Sequence, residues 1–173
     1  MGAYLERQTE QSVRNMRWGR FSTVGRSGCG AVAAYNVAVA LGKNPDFKAL
    51  VWAMERRRLP SCGGLLGMNV LRLQRWLQRR FGRAELCVLG TDRWEARTRF
   101  CRAAVIFYKN RGIFRGNHFI AGARTDAGFV FHNAALLPPT RADSDYPVLF
   151  REPSILFHRD FTLKKYNSCI TAA

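Results

Sequence analysis

The chain has 173 residues, of which 47% are hydrophobic and 23% are charged. This composition is typical of one globular domain and excludes a long disordered chain, a collagen and a small disulfide-stapled protein. No apolar run approaches the roughly 20 residues that span a membrane, so no membrane span is expected. Lysine and arginine number 28 against 12 aspartate and glutamate residues, a net charge of +16. Such a field favours nucleic acid, acidic protein or an anionic membrane as a partner.

The cysteines favour a reduced, cytoplasmic protein. The chain has five of them, an odd number, scattered without a Cys-x-x-Cys pair, and the N-terminus has no signal-peptide core. The Cys and His residues also lack the close spacing of a tetrahedral metal site, so neither a metal nor another cofactor is expected. The positions are Cys29, Cys62, Cys87, Cys101 and Cys169.

Hydrophobic patterning predicts helices in the first half of the chain. Residues 5–18 are loosely periodic and are interpreted as a polar helix. Residues 29–42 are apolar on almost every side, which is typical of a helix buried in the middle of a domain. A helix capped by Asn44-Pro45 follows, and a third near 68–81 comes after the glycine-rich turn of residues 61–67. The predicted core faces are Phe47, Leu50, Val51 and Met54 on the second helix, and Val70, Leu73, Leu77 and Trp76 on the third.

After Gly82 the pattern predicts β-strands. Short apolar runs bounded by turn residues cover 85–89, 103–108, 118–123 and 129–133, with weaker candidates at 148–150 and 155–157. Helices followed by strands are typical of an α+β fold with an antiparallel sheet. The chain is therefore predicted to be a single domain over 1–173, helical over about 1–82 and β over about 83–173.

Cys29 occupies the first turn of the predicted buried helix. The N-terminus of a helix carries partial positive charge and free N–H groups, both of which stabilise a thiolate. The same N–H groups suit a tetrahedral oxyanion, and Gly28 and Gly30 leave room for a substrate backbone. The alternative is a buried structural cysteine.

A nucleophilic cysteine needs a base and a group that orients the base. His118 opens an apolar strand, and residues 124–128 form the turn to the next strand, which reaches Asn133. If Thr125 and Asp126 form the turn, Asn133 lies directly opposite His118. If Asp126 and Ala127 form it, Asn133 lies one diagonal step away on the same face. An odd loop would bring His132 to that face instead. Asn133 is the favoured orienting residue, and His132 and His158 are interpreted as structural.

These features resemble the papain-like cysteine peptidases, and within them the bacterial peptidases that remove double-glycine leaders from bacteriocin precursors. The likeness covers about residues 20–135. It is carried by Cys29-Gly30 opening a helix, the Gly-Gly-Leu-Leu-Gly of 63–67, the strand of 104–108, and His118-Phe119 with a polar residue on the next strand. The resemblance implies a papain-like fold, a peptide or protein substrate, and a triad of Cys29 as nucleophile, His118 as general base and acid, and Asn133.

Two positions depart from that family. Its members usually carry a Gln six residues before the cysteine, which completes the oxyanion hole, whereas this chain has Thr23. Asn15, Thr23 or backbone N–H groups are the candidate replacements. The leader peptidases also carry Asp-Pro where this chain has Asn133-Ala134. An inactive relative that only binds peptides is therefore one alternative to a peptidase with an acidic peptide substrate.

A third interpretation follows from the arginine-rich region 56–83. It contains eight arginines, with Trp52 just before it and Trp76 within it. Arginine beside aromatic rings binds phosphates and stacks on bases, which is typical of nucleic-acid-binding proteins. Both tryptophans also fit core positions of their helices, which is the more common use and the one predicted here.

Overall fold

The computed structural model describes residues 2–82, 84–87, 101–109, 117–126, 128–133, 156–158 and 168–172. Within these residues the fold is mixed helix and sheet, as the sequence predicts. The helices are α1 (Val24–Ser27), α2 (Cys29–Ala40), α3 (Phe47–Arg56) and α4 (Val70–Phe81). The strands are β1 (Arg17–Trp18), β2 (Ser22–Thr23), β3 (Ala84–Cys87), β4 (Ala103–Lys109), β5 (Asn117–Thr125), β6 (Gly128–His132), β7 (Leu156–His158) and β8 (Ser168–Ala172).

Helix α2 lies at the centre of the domain. Every residue from Cys29 to Val39 is buried, which confirms the central buried helix. Its small side chains, mostly alanine and valine, allow the neighbouring helices and strands to pack closely against it on all sides. Gly42 follows the helix with a φ of 74°, in the left-handed region where glycine is favoured. None of the described helices combines the length and apolar character needed to cross a membrane.

Helices α3 and α4 pack their predicted apolar faces against the core. Phe47, Leu50, Val51 and Met54 are all buried, as are Leu73 and Leu77, while Val70 and Trp76 are partly buried. The N-cap of α3 is Asp46 rather than the predicted Asn44, because the Asp46 carboxylate accepts hydrogen bonds from the Lys48 and Ala49 N–H groups. The core prediction for Trp52 is wrong, since this side chain is 58% exposed.

A six-stranded sheet covers one side of α2, in the order β3-β7-β8-β4-β5-β6. Most pairings are antiparallel, as predicted, but β7 runs parallel to both β3 and β4. Strand β8 was not predicted from the sequence, and residues 148–150 lie outside the described residues. In the β4–β5 ladder Val105 pairs with Ala121, and both belong to the core cluster that includes the α2 side chains.

The N-terminal segment contains no helix between residues 5 and 16, so the polar-helix prediction is wrong. Its backbone is instead bound to α2 by side chains. The Asn36 amide accepts from the Leu5 N–H at 2.9 Å and donates to the Leu5 carbonyl at 2.8 Å, and the Tyr35 hydroxyl donates to the Ala3 carbonyl. The only described polar side chain of α2 that is fully buried thereby finds both of its partners on this segment.

We expect Asn36→Ala to lower the free energy of unfolding by about 2–4 kcal/mol, because it removes two hydrogen bonds and leaves a cavity. Tyr35→Phe is the matched control, since it removes one bond to the same segment and should cost about 1 kcal/mol. Urea denaturation of the three proteins measures both values. Equal, small losses in the two variants would contradict a dominant role for Asn36.

Candidate active site

Cys29 is the first residue of α2, and its side chain is only 5% exposed. The first helical hydrogen bonds are made by the Ala31 and Val32 N–H groups, which both donate to the Gly28 carbonyl. The backbone N–H groups of Cys29 and Gly30, and that of Phe119 on β5, favour the thiolate form of this side chain.

Burial dominates the protonation of this thiol. The three backbone donors lower the pKa of Cys29, as expected at a helix N-terminus, but loss of solvent outweighs them and raises the pKa to about 11. The resting thiol is therefore protonated at neutral pH. The expectation that the helix terminus alone stabilises a thiolate is wrong, because that expectation ignored burial.

His118 is held by the main chain of Asn133. Its Nε2 lies 2.8 Å from the Asn133 carbonyl oxygen. A carbonyl only accepts, so Nε2 carries the proton and the neutral ring has its lone pair on Nδ1. Burial lowers the pKa of His118, although the bond to Asn133 opposes this effect. The ring is consequently a neutral base at neutral pH.

The β5–β6 hairpin has the second of the two even-loop registers predicted. Thr125 pairs with Gly128, and Ala121 pairs with His132. Strand β6 ends at His132, and Asn133 follows with a φ of 63°. This left-handed conformation, which asparagine tolerates better than most residues, directs the Asn133 carbonyl to the His118 ring.

The Asn133 side chain has a different role from the one predicted. Its Oδ1 accepts from the Gln8 N–H at 2.9 Å, and its Nδ2 donates to the Phe119 carbonyl at 3.1 Å. The side chain thus joins the N-terminal segment to β5, while the ring of His118 is oriented by the carbonyl. Sequence reasoning paired the correct two residues but not the correct atoms.

Phe119 links two of the three predicted residues. Its carbonyl accepts from Asn133 Nδ2, and His118 precedes it on β5. Adjacent side chains of a strand leave on opposite faces, and Phe119 belongs to the core cluster around α2, so the His118 side chain leaves β5 on the face away from that cluster. Among the described contacts, no hydrogen bond joins the Cys29 thiol directly to the His118 ring.

A glycine turn forms the wall beside the start of α2. Ser61–Gly64 is a 3₁₀ turn, and Ser27 Oγ donates to the Gly64 carbonyl at 2.6 Å. A Cβ atom on Gly64 would lie 2.1 Å from the Trp18 carbonyl oxygen, so only glycine fits this contact. The Gly-Gly pair predicted to open a helix instead fastens this turn to β1 and β2, and α4 begins later, at Val70.

The two predicted side-chain donors for an oxyanion do not contact the thiol. Thr23 ends β2 and is the N-cap of α1, where its side chain makes no capping bond. Asn15 lies exposed in a turn. Neither forms a described hydrogen bond with Cys29. The backbone N–H groups of Cys29 and Gly30 are therefore the donors that the described residues offer.

Sequence reasoning missed the contribution of the N-terminal segment. Besides its N–H bond to Asn133, Gln8 donates through Nε2 to the Gly25 carbonyl, one turn before Cys29. Two residues earlier, Glu6 accepts from His132 Nδ1 at 2.8 Å, and Tyr4 stacks on that ring. No local pattern could have identified the contacts of Gln8 with Asn133 and of Glu6 with His132, since they join positions about 125 residues apart.

Comparison with protein-family models, with curated proteins and with solved structures finds no match to this chain. The papain-like interpretation therefore depends on the residues and contacts of this protein alone.

The protonation of Cys29 can be tested by alkylation with iodoacetamide between pH 6 and 10, followed by peptide mapping. We expect Cys62 to be alkylated readily, because its side chain is exposed. Cys29 should lag behind it throughout, because its thiolate forms only as the pH approaches about 11. Fast reaction of Cys29 at pH 6 that disappears in His118→Ala would instead demonstrate a thiolate–imidazolium pair.

Two substitutions of Asn133 separate its carbonyl from its side chain. Both Asn133→Gly and Asn133→Ala lose the bonds to Gln8 and Phe119, so both should destabilise the protein. The alanine variant should be less stable than the glycine variant by about 1 kcal/mol, because a φ of 63° is energetically less favourable for alanine than for glycine. Thermal unfolding compares them, and equal stability would contradict the left-handed conformation.

Proposed function

We propose that this protein is a thiol-dependent peptidase in which Cys29 is the nucleophile and His118 is the general base and acid. One observation carries the proposal: Cys29 begins the buried helix α2, and on β5, the strand packed against that helix, the Asn133 carbonyl binds the Nε2–H of His118 at 2.8 Å. In this tautomer Nδ1 is the basic nitrogen of the ring. A papain-like fold, suggested by the central helix and its sheet, belongs to the same proposal.

The resting protonation states define the first chemical step. Thiol and imidazole are both neutral, because burial raises the pKa of Cys29 and lowers that of His118. Nδ1 of His118 therefore takes the thiol proton as Sγ attacks the peptide carbonyl carbon. No described hydrogen bond joins the thiol to the imidazole, so the proposal requires the His118 ring to turn towards Cys29 when substrate binds. Catalytic hydrogen bonds are often complete only in the complex with substrate.

The remaining steps use groups already described. The oxyanion of the tetrahedral intermediate accepts hydrogen bonds from the Cys29 and Gly30 N–H groups. The His118 imidazolium then protonates the leaving amine as the C–N bond breaks, which leaves a thioester on Cys29. The neutral ring then removes a proton from water as the water oxygen attacks the thioester carbonyl carbon. The C–S bond breaks, the carboxylic acid leaves, and the imidazolium returns its proton to the Cys29 thiolate.

Exposed apolar side chains near the start of α2 suggest the substrate class. Phe21 is 57% exposed, Leu65 54% and Leu66 73%. The Phe21 N–H donates to the Gly63 carbonyl, so the two turns that carry these residues adjoin each other. Exposed apolar residues grouped in this way are typical of a binding surface. Together with the net charge of +16, they favour a peptide with both apolar and acidic residues.

The second candidate function is peptide binding without catalysis. The raised pKa of Cys29 and the lack of a described side-chain donor for the oxyanion support it. Loss of one oxyanion donor typically costs about 100- to 1000-fold in rate. An inactive relative would keep affinity for peptides when Cys29 is replaced by alanine.

A pool of internally quenched fluorogenic peptides, one half acidic and one half basic, tests the proposed activity. We expect hydrolysis of acidic, leucine-rich members, and a loss of roughly 1000-fold or more in Cys29→Ser and in His118→Ala. Cys101→Ser is the matched control, because Cys101 is also buried and reduced but lies away from the start of α2. It should retain the full rate.

The outcomes separate the two candidate functions. Hydrolysis that survives Cys29→Ser would exclude Cys29 as the nucleophile. No hydrolysis by the wild-type protein, combined with peptide binding that Cys29→Ala retains, would establish the binding function instead.

A further inference from the structure

The helices α3 and α4 carry a concentration of positive charge that the proposed peptidase does not use. Seven arginines at the end of α3 and along α4 are exposed: Arg56, Arg57, Arg58, Arg72, Arg75, Arg79 and Arg80. Among the described side chains, the nearby carboxylates have other partners. Asp46 caps α3, and Glu55 accepts from the Gly19 N–H and lies 3.9 Å from Arg17. Neither neutralises the seven arginines.

Three of these arginines form a stripe on α4. Arg72, Arg75 and Arg79 are spaced at i, i+3 and i+7, which places them on one face of the helix. The opposite face carries Leu73 and Leu77, which are fully buried. The stripe continues onto the end of α3, because Arg72 Nη1 donates to the Arg58 carbonyl at 2.7 Å. The charged surface is therefore continuous between the two helices.

An aromatic ring accompanies the charge. Trp52 on α3 is 58% exposed, although tryptophan is usually well buried. The Arg56 guanidinium lies 4.6 Å from the centre of its ring, one helical turn away. An exposed indole backed by arginine provides a flat surface on which a base can stack while the cation binds phosphate.

A cavity of about 370 Å³ separates the start of α3 from the end of α4. Trp76 and Phe81 line one wall in an edge-to-face arrangement, with ring centres 6.0 Å apart. Lys43 and Arg80 add two cations to the lining, and Asp46 adds one carboxylate, which also caps α3. The volume is in the range of sites for small ligands, and the lining combines aromatic carbon with an excess of positive charge.

We propose that the α3–α4 face binds single-stranded nucleic acid. Phosphates lie along the stripe of Arg72, Arg75 and Arg79, one base stacks on Trp52, and a second base enters the cavity beside Trp76. The combination of arginine and exposed aromatic rings favours this ligand, because every base offers a face for stacking whereas an acidic peptide offers only its carboxylates. Insertion into a membrane is disfavoured, since Leu71 is the one large apolar side chain of α4 that is exposed, whereas Leu73 and Leu77 are buried.

This inference is independent of the peptidase proposal. It uses a different surface, and no residue of the stripe belongs to the candidate active site. A protein without any hydrolytic activity would still bind nucleic acid through this face.

Fluorescence anisotropy with labelled oligo-dT and oligo-rU of 15 nucleotides tests the proposal over 50–200 mM salt. Replacing Arg72, Arg75 and Arg79 by glutamine should weaken binding at least about tenfold and reduce the slope of log affinity against log salt by about 2, for three lost phosphate contacts. Trp52→Ala should weaken binding by about 5- to 100-fold with little change in that slope. Comparing the two oligomers distinguishes DNA from RNA.

The matched control replaces three exposed arginines of the N-terminal segments, Arg7, Arg14 and Arg26, by glutamine. Both triple variants lower the net charge equally, so only a specific surface makes the α4 variant weaker than the control. A further variant replaces Arg72, Arg75 and Arg79 by lysine and therefore keeps the charge. Thermal unfolding of every variant checks that it is folded. It should bind with an intermediate affinity.

Three results would overturn the proposal. Equal weakening in the two glutamine variants would indicate diffuse attraction by the net charge. Unchanged affinity in Trp52→Ala would exclude base stacking at that ring. Tighter binding of a poly-glutamate peptide or of phosphatidylserine vesicles than of either oligonucleotide, at equal salt, would assign the face to a different class of partner.

Discussion

The burial of α2 on every side is the constraint on which the rest of this structure depends. A helix that is apolar all round must be covered all round, and the cover comes from the sheet, from α3 and α4 and from the N-terminal segment. The buried Asn36 makes this last contact specific, because its amide needs both a donor and an acceptor. Leu5 supplies both from one residue.

The same burial determines the chemistry available at Cys29. A helix N-terminus favours a thiolate, yet the surroundings that bring β5 against α2 remove the solvent that a thiolate needs. The balance leaves a protonated thiol near a neutral imidazole. Under the proposed mechanism the nucleophile forms only when the proton can be transferred, so the resting protein is protected from indiscriminate oxidation and alkylation.

Backbone groups carry much of the organisation around the candidate site. The Asn133 carbonyl orients His118, the Phe119 carbonyl accepts from Asn133 Nδ2, and the Gly64 carbonyl accepts from Ser27. These contacts depend on main-chain conformation, notably the left-handed φ at Asn133 and at the glycines of the 61–67 turn. Side-chain identity matters there mainly through the conformations that it permits.

The sequence by itself determined the central helix, the core faces of α3 and α4, and five of the strands, because each of these follows from a local period of apolar residues. It also identified His118 and Asn133 as neighbours through the arithmetic of a hairpin. It did not determine β8, the parallel pairing of β7 or the course of residues 2–16, which depend on contacts between distant segments. Only the tertiary structure decided that the Asn133 carbonyl rather than its amide meets His118, that burial raises the pKa of Cys29, and that Trp52 faces solvent. The physical reason is common to all three: solvent exposure and the direction of a main-chain carbonyl are properties of the packed chain, and no local pattern encodes them.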